Sequence, residues 1–307
     1  MTGGWQSALA PGGSSADAIL RLFWPTVALL GLIWLAVLLV LAAALLRRAR
    51  PEAPRRAGAV VGAATAGTVL VVIGLTLASY LVTRPISAAA DAPLIVQLRG
   101  LQWWWQATYP EEGEASGFVT ANELHLPLGR PVRLELSAED VIHSFWVPNL
   151  AGKQDMIPGR DNALTFTPTV PGVYRAQCAE FCGLQHARMA LLVVVEPPEE
   201  FARWRAVQAA PATAEALAAE GRQVFERQPC GACHTVRGTG AAGRTGPDLT
   251  HLASRGTLAA GLLPMTRGAL AAWIADPQTL KPGNNMPLVP LSADELQALT
   301  AWLASLR

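Results

Sequence analysis

Charge is scarce in this chain. Only 15% of its 307 residues are Asp, Glu, Lys or Arg, and the net charge is +1. That balance excludes a broad basic face for nucleic acid and gives no signal for a strongly acidic partner. Two long stretches, residues 22–46 and 57–83, carry no charge at all. Each exceeds the roughly 20 residues that a spanning helix needs. Uncharged runs of that length are hard to place in a soluble core. The N-terminus lacks the basic start and short apolar core of a signal peptide, so the first span reads as a retained anchor. Cysteine is sparse too. The four cysteines form two tight pairs, Cys178/Cys182 and Cys230/Cys233. Each pair has a histidine close behind it, which points to metal or haem chemistry more than to disulfides.

What is present completes the membrane reading. Between the spans, "RRARPEAPRR" holds five arginines and one glutamate. Such a loop stays in the cytoplasm. Both termini then face the other side, and the chain beyond about residue 85 lies in a periplasm or its equivalent. Pro25 is expected near the start of the first helix, where it is tolerated.

Residues 91–198 change character. "LIVQLRG", "WWWQATY", "PVRLELS", "ALTFTP", "GVYRAQC" and "MALLVVVE" are β-rich runs separated by Gly and Pro turns. They predict a small antiparallel sandwich or barrel, which can hold loops rigidly at one end. One loop is "CAEFCGLQHARM", residues 178–189. Cys178, Cys182, His186 and Met189 offer thiolate, imidazole and thioether donors. Such soft donors favour copper, zinc or iron–sulfur centres, and the imidazole–thioether combination tilts the choice to copper. A mononuclear site needs one cysteine; two suit a pair of coppers bridged by sulfur. A second histidine is available as His143 in "DVIHSFWVP". On a strand, Trp104 points away from Trp103 and Trp105, so at least one ring of that triplet is ordinary packing. His125 belongs to no motif and reads as a packing or surface residue.

The C-terminal part carries "CGACH". C-x-x-C-H reads as covalent haem attachment through Cys230 and Cys233, with His234 as an iron ligand. Met286 in "KPGNNMP" is the expected second ligand, with Met265 as competitor. Methionine opposite histidine raises a haem's potential and suits electron transfer. "TAEALAAEGRQVFERQ" predicts an amphipathic helix before the haem motif. "SADELQALTAWLASL" predicts a final helix with Ser292 and Glu295 as a capping box. His251 reads as a bystander.

"VIHSFWVP" followed by C-x-E-x-C-G-x-x-H-x-x-M resembles subunit II of the haem–copper cytochrome c oxidases. "QWWWQATY" and "KQDMIPGRDN" resemble that family in order and spacing, and the likeness covers roughly residues 20–197. The stretch around Pro247 and Met286 resembles small cytochromes c. Together they imply a multidomain chain: an extracytoplasmic segment at 1–20, a two-helix transmembrane hairpin at 21–85, a cupredoxin-like Greek-key β-barrel at 91–197, a linker at 198–213, and an all-α class I cytochrome c domain at 214–307. A short flexible tether of that kind gives an effective concentration on the order of millimolar.

The resemblance also implies roles. Cys178 and Cys182 bridge a dinuclear CuA centre; His143 and Met189 complete one copper, and His186 with the Glu180 carbonyl completes the other. The Glu180 side chain reaches magnesium at the border with subunit I. Trp103 is where electrons come in. Pro247 accepts a hydrogen bond from the proximal His234. Partners are subunit I, subunit III, a soluble or membrane-bound cytochrome c or other periplasmic donor, and membrane lipid. Oxygen reduction and proton pumping belong to subunit I. Quinol oxidases share the architecture without the copper ligands, and nitrous oxide reductases need a further copper domain. A membrane-anchored electron shuttle or copper-handling protein is the competing class, and Glu180 argues against it. One departure stands out: the second span begins "RRAGAVVGAATAG", without the acidic residue that serves a proton path in many family members. Glu52 lies upstream in the loop. The acidic stretch "EEGEASG" reads as a solvated loop.

Overall fold

A computed structural model of the chain describes residues 4–46, 54–87, 92, 94–111, 116–213 and 220–307. Glu52, most of the arginine-rich loop, the centre of "EEGEASG" and residues 214–219 therefore lie outside the described residues.

Two helices, α1 (Ser14–Leu46) and α2 (Pro54–Ser87), hold the uncharged runs. Both are long and apolar enough to cross a membrane, and neither buries its apolar window inside the chain. At 1.5 Å per residue a 33-residue helix is about 50 Å long, so part of α1 stands outside a hydrocarbon core of roughly 30 Å. Its first turn packs on the β domain. The Ser14 amide donates to the Thr167 carbonyl (2.9 Å), and the Thr167 amide donates to Ser14 Oγ (3.0 Å). Ser15 and Ala16 are buried there. This docking starts the helix earlier than the apolar pattern suggests. Pro25 consequently lies inside α1 and not at its start; this corrects its expected placement.

Ten strands follow: β1 (Leu94–Leu101), β2 (Trp104–Tyr109), β3 (Phe118–Ala121), β4 (Glu123–Pro127), β5 (Val132–Ala138), β6 (His143–Trp146), β7 (Gln154–Met156), β8 (Asn162–Phe166), β9 (Gly172–Cys178) and β10 (Ala190–Glu196). They form two five-stranded sheets, β3-β2-β1-β5-β8 and β4-β10-β9-β6-β7. The sandwich is mixed and not purely antiparallel: β1 pairs parallel with β5, and β4 parallel with β10. Alternation of apolar residues sets which face is buried, not which way a neighbour runs. Leu98, Trp105, Tyr109, Leu134, Phe145 and Val193 are fully buried between the sheets. Each large apolar side chain so buried contributes about 1.5–3 kcal/mol relative to exposure.

Helix α3 (Pro198–Ala209) starts with Pro at its first turn and lies on this sandwich. Phe201 is buried, and Trp204 stacks on His125 with ring centroids 4.0 Å apart. Much of the expected linker is thus packed structure.

The C-terminal region contains α4 (Glu220–Arg227), α5 (Cys230–Cys233), a small hairpin of β11 (Thr257–Leu258) and β12 (Leu263–Pro264), then α6 (Arg267–Ala275), α7 (Pro277–Leu280) and α8 (Ala293–Leu303). Helix α4 is the described part of the first expected helix. Phe225 from α4 meets Trp302 from α8 at 5.0 Å between ring centroids, in a second core. The capping box at Ser292 and Glu295 is present in both directions.

Candidate metal and haem centres

The loop between β9 and β10 folds back over the end of the sandwich. Cys178 ends β9, a short 3-10 turn carries His186–Arg188, and Met189 precedes β10. Strand β6, paired with the end of β9, brings His143 alongside. The result is one pocket of soft donors. Cys178 Sγ lies 3.7 Å from Cys182 Sγ and 3.8 Å from His143 Nδ1. Cys182 Sγ lies 3.6 Å from His186 Nδ1 and 3.8 Å from Met189 Sδ. Cys178, Cys182, His143 and Met189 are all buried, and the donor atoms of His143, Cys178 and Cys182 fall within 4.8 Å of one another. The carbonyl of Glu180 faces the same pocket, 3.2 Å from Cys178 Sγ. Its side chain does not. It points outward, 3.5 Å from Lys153 Nζ.

The thiols ionise unequally. The contact with Cys182 holds the Cys178 thiol below its ordinary range, outweighing burial, and His143 and backbone donors act in the same direction. Cys182 is pushed up by the neighbouring Cys178 and by burial. Ready ionisation of one thiol beside a second is a donor set that fits a thiolate-bound metal. Both cysteines are free in the structure.

Asp140 is a residue that sequence reasoning missed. Its Oδ1 lies 2.8 Å from His143 Nε2 and accepts from the Val141 amide (2.7 Å). Its Oδ2 accepts from the Gln102 amide (2.6 Å). Burial alone would raise this carboxyl, but His143 and the two amides outweigh it and hold it below the ordinary range. A carboxylate on the outer nitrogen fixes the histidine tautomer and turns the inner nitrogen toward a metal. The only signal in the sequence is an acidic residue three positions before His143. Gly100 belongs to the same wall: a Cβ there would sit 2.9 Å from the His143 ring.

Of the three tryptophans, Trp104 and Trp105 alternate within β2, whereas Trp103 lies in the turn before it. Trp105 is fully buried against His143 and Phe145. Trp103 lies over the sulfur-rich pocket, and its Nε1 donates to the Cys182 carbonyl (2.9 Å). Gln102 Nε2 donates to that same carbonyl (2.8 Å).

In the C-terminal region Cys230 and Cys233 occupy one helical turn, as free thiols, with His234 next. His234 Nδ1 donates to the Pro247 carbonyl (2.8 Å), which leaves Nε2 as the ligating nitrogen. Burial pushes this imidazole down, so it stays neutral. A neutral, oriented imidazole beside two thiols suits covalent haem attachment. Gly246 allows the approach: a Cβ there would lie 2.7 Å from His234 Cε1. Met286 sits on a pinned loop. Its amide donates to Asn284 Oδ1 and its carbonyl accepts from Gln278 Nε2, both at 2.8 Å. Met265 instead packs against the second core.

The two remaining histidines are structural. His125 bridges Glu123 (2.8 Å) and Glu196 (2.8 Å). His251 Nε2 donates to the Ala210 carbonyl (2.9 Å). One unexpected feature joins the two regions. Lys281, in the "KPGNNMP" loop, is 3% exposed; its Nζ donates to the carbonyls of Trp103 (2.8 Å) and Ala259 (3.0 Å). Burial pushes its ammonium down to about 7, with Arg188 acting in the same direction.

Comparison with known proteins finds relatives of both regions. Residues 110–196 match the family described as "Cytochrome C oxidase subunit II, periplasmic domain", and residues 218–307 match "Cytochrome c". A cytochrome c oxidase subunit 2 from Alkalihalophilus pseudofirmus is 40% identical over 226 residues, covering 73% of this chain and 64% of that protein. One from Bacillus subtilis is 34% identical over 231 residues, covering 71% and 64%. The chain therefore spans about two-thirds or slightly less of these curated relatives. The crystal structure of the periplasmic domain of subunit II of cytochrome oxidase from Bradyrhizobium japonicum is 31% identical, with a TM-score of 0.37, and covers 39% of this chain and 96% of that one.

Proposed function

We propose that this chain, which belongs to the cytochrome c oxidase subunit II family and carries a cytochrome c domain behind it, is the subunit through which electrons reach a membrane terminal oxidase. The observation that carries this reading is the single buried pocket holding His143, Cys178, Cys182, His186 and Met189, in the same chain as the Cys230/Cys233/His234 haem motif. When bound, haem c and a dinuclear CuA centre supply one-electron relay from an external donor toward the haem of subunit I, where oxygen is reduced to water with proton pumping.

The chain's own residues supply the positions. Cys178 and Cys182 would hold the coppers as thiolates, and His143, Met189, His186 and the Glu180 carbonyl would complete the donor set. Trp103 covers the pocket and receives the electron. The strand frame holds these donors in one arrangement, so little has to move when charge arrives. Cys230 and Cys233 would anchor haem covalently, and His234 and Met286 would hold its iron. The outward carboxylate of Glu180 would offer magnesium a hard oxygen ligand at a border with subunit I. The helices α1 and α2 cross a bacterial inner membrane and leave both metal-bearing domains on the periplasmic side. Subunits I and III, membrane lipid, and a cytochrome c or other periplasmic donor are the partners.

Purification from membranes tests the reading. The chain should copurify with a large haem-bearing integral membrane subunit, and the preparation should oxidise reduced cytochrome c with oxygen uptake. A chain that purifies alone, with metals loaded and no oxygen uptake, would be an anchored shuttle instead.

A further inference from the structure

We infer that Lys281 and Asn285 are positioning residues that seat the methionine loop of the haem-bearing domain on the Gln102–Trp103 peptide, so that this domain donates electrons from a docked state and closes that peptide to any other donor. The inference rests on the relay reading above and deepens it.

The contact is built, and both sides contribute specific groups. Asn285 Nδ2 donates to the Gln102 carbonyl (2.9 Å), and Lys281 Nζ donates to the Trp103 carbonyl (2.8 Å). Around them, Gln185 Nε2 donates to the Pro282 carbonyl (2.5 Å) and Arg188 to the Leu280 carbonyl (2.9 Å). The Ala190 amide donates to the Ala260 carbonyl (2.9 Å), and the Gly256 amide to Glu123 Oε2 (2.8 Å). In this contact Lys281 is left 3% exposed. An ammonium taken out of water needs hydrogen-bonding partners. Undocking would leave the Ala259 carbonyl and remove the Trp103 carbonyl.

The peptide that these two side chains hold is wired to the sulfur-rich pocket on its other side. Gln102 Nε2 and Trp103 Nε1 both donate to the Cys182 carbonyl. The Gln102 amide donates to Asp140, whose other oxygen meets His143. Asn285 is the immediate neighbour of Met286. A short chain of bonds and hydrogen bonds therefore links Met286 to Cys182 and His143 through one peptide. The same geometry has a second consequence. With both carbonyls occupied by the chain's own loop, a separate donor protein is directed to the haem domain and not to Trp103.

The test uses the assembled oxidase with the full chain, as wild type, Asn285→Ala and Lys281→Met. Asn285 is exposed, so its substitution spares the fold. The haem–methionine absorption band and the copper hyperfine pattern report that both centres are intact. The main readout is how strongly oxidised haem iron speeds the magnetic relaxation of the copper signal, which weakens steeply with separation. Wild type should show one fast-relaxing population. Each variant should add a slow population, with the undocked fraction raised roughly five-fold per hydrogen bond lost. Copper reduction after photoreduction of haem by a small ruthenium complex should be independent of viscosity in wild type and viscosity-dependent in the variants. Unchanged relaxation in both variants would overturn the positioning role. A spread of slow populations in wild type would overturn docking itself. Loss of the copper signal or of the haem band in wild type would overturn the relay reading and this inference with it.

Discussion

Replacing Asp140 by Asn keeps the size of the side chain and removes its charge. In the native structure one oxygen serves His143 Nε2 and the Val141 amide, and the other serves the Gln102 amide. An amide has only one accepting oxygen. Whichever way Asn is turned, its NH2 group faces either an N–H donor or the imidazole. The histidine then loses the carboxylate that orients its ring. Outer partners of metal-bound histidines are typically worth about 10–100-fold in metal affinity, equal to about 1.4–2.7 kcal/mol. The assay is a copper competition titration of the detergent-solubilised protein against a chelator of known affinity, with the histidine hyperfine couplings recorded beside it. The expected result is weaker copper retention within that range and a changed coupling from one histidine. Affinity within about two-fold of wild type, together with unchanged couplings, would refute the role given to Asp140.

Three further outcomes follow from the geometry. His125 is pushed down by burial, but the carboxylates of Glu123 and Glu196 outweigh this and raise it above its ordinary 6.5. The folded state therefore binds a proton more tightly than the unfolded chain, and its stabilisation, complete below 6.5, should fade as pH rises through the raised value; thermal unfolding midpoints should fall over that window, and His125→Gln should flatten the fall. In Gly246→Ala the added Cβ would press on the His234 ring at 2.7 Å, so haem should remain covalently attached while the methionine-ligated absorption band weakens; an unchanged band would contradict the close approach. Trp103→Phe removes the Nε1 donor to the Cys182 carbonyl, and should slow copper reduction while leaving copper content unchanged; an unaltered rate would show that electrons take another route.

Much of the sulfur-rich pocket was legible because its donors sit at fixed intervals on one loop. The spacing of Cys178, Cys182, His186 and Met189 survives without knowledge of the fold, and β6 brings His143 to them through a neighbouring strand. The capping box at Ser292 was legible because it is local; the Pro247 partner of His234 was expected only from the resemblance to small cytochromes c. What escaped depends on residues far apart in the chain. Lys281 reads as a solvated loop lysine, yet its partner Trp103 lies 178 positions away. Glu123 and His125 break the apolar pattern of a strand that is buried along its whole length. They are tolerated because they pair with each other and with Glu196, which no periodicity reveals. The start of α1 was misplaced because Ser14 is held by Thr167, not by the apolar run that follows. Asp140 resembles any loop acid until the position of His143 is known.

The most direct test of the account is a metal count joined to paramagnetic resonance on the purified chain, residues 1–307. The account predicts two coppers and one haem c per chain, with one unpaired electron shared equally between two coppers. One copper or none, with haem intact and no sharing of the electron, would contradict it and leave a tethered cytochrome without a copper relay.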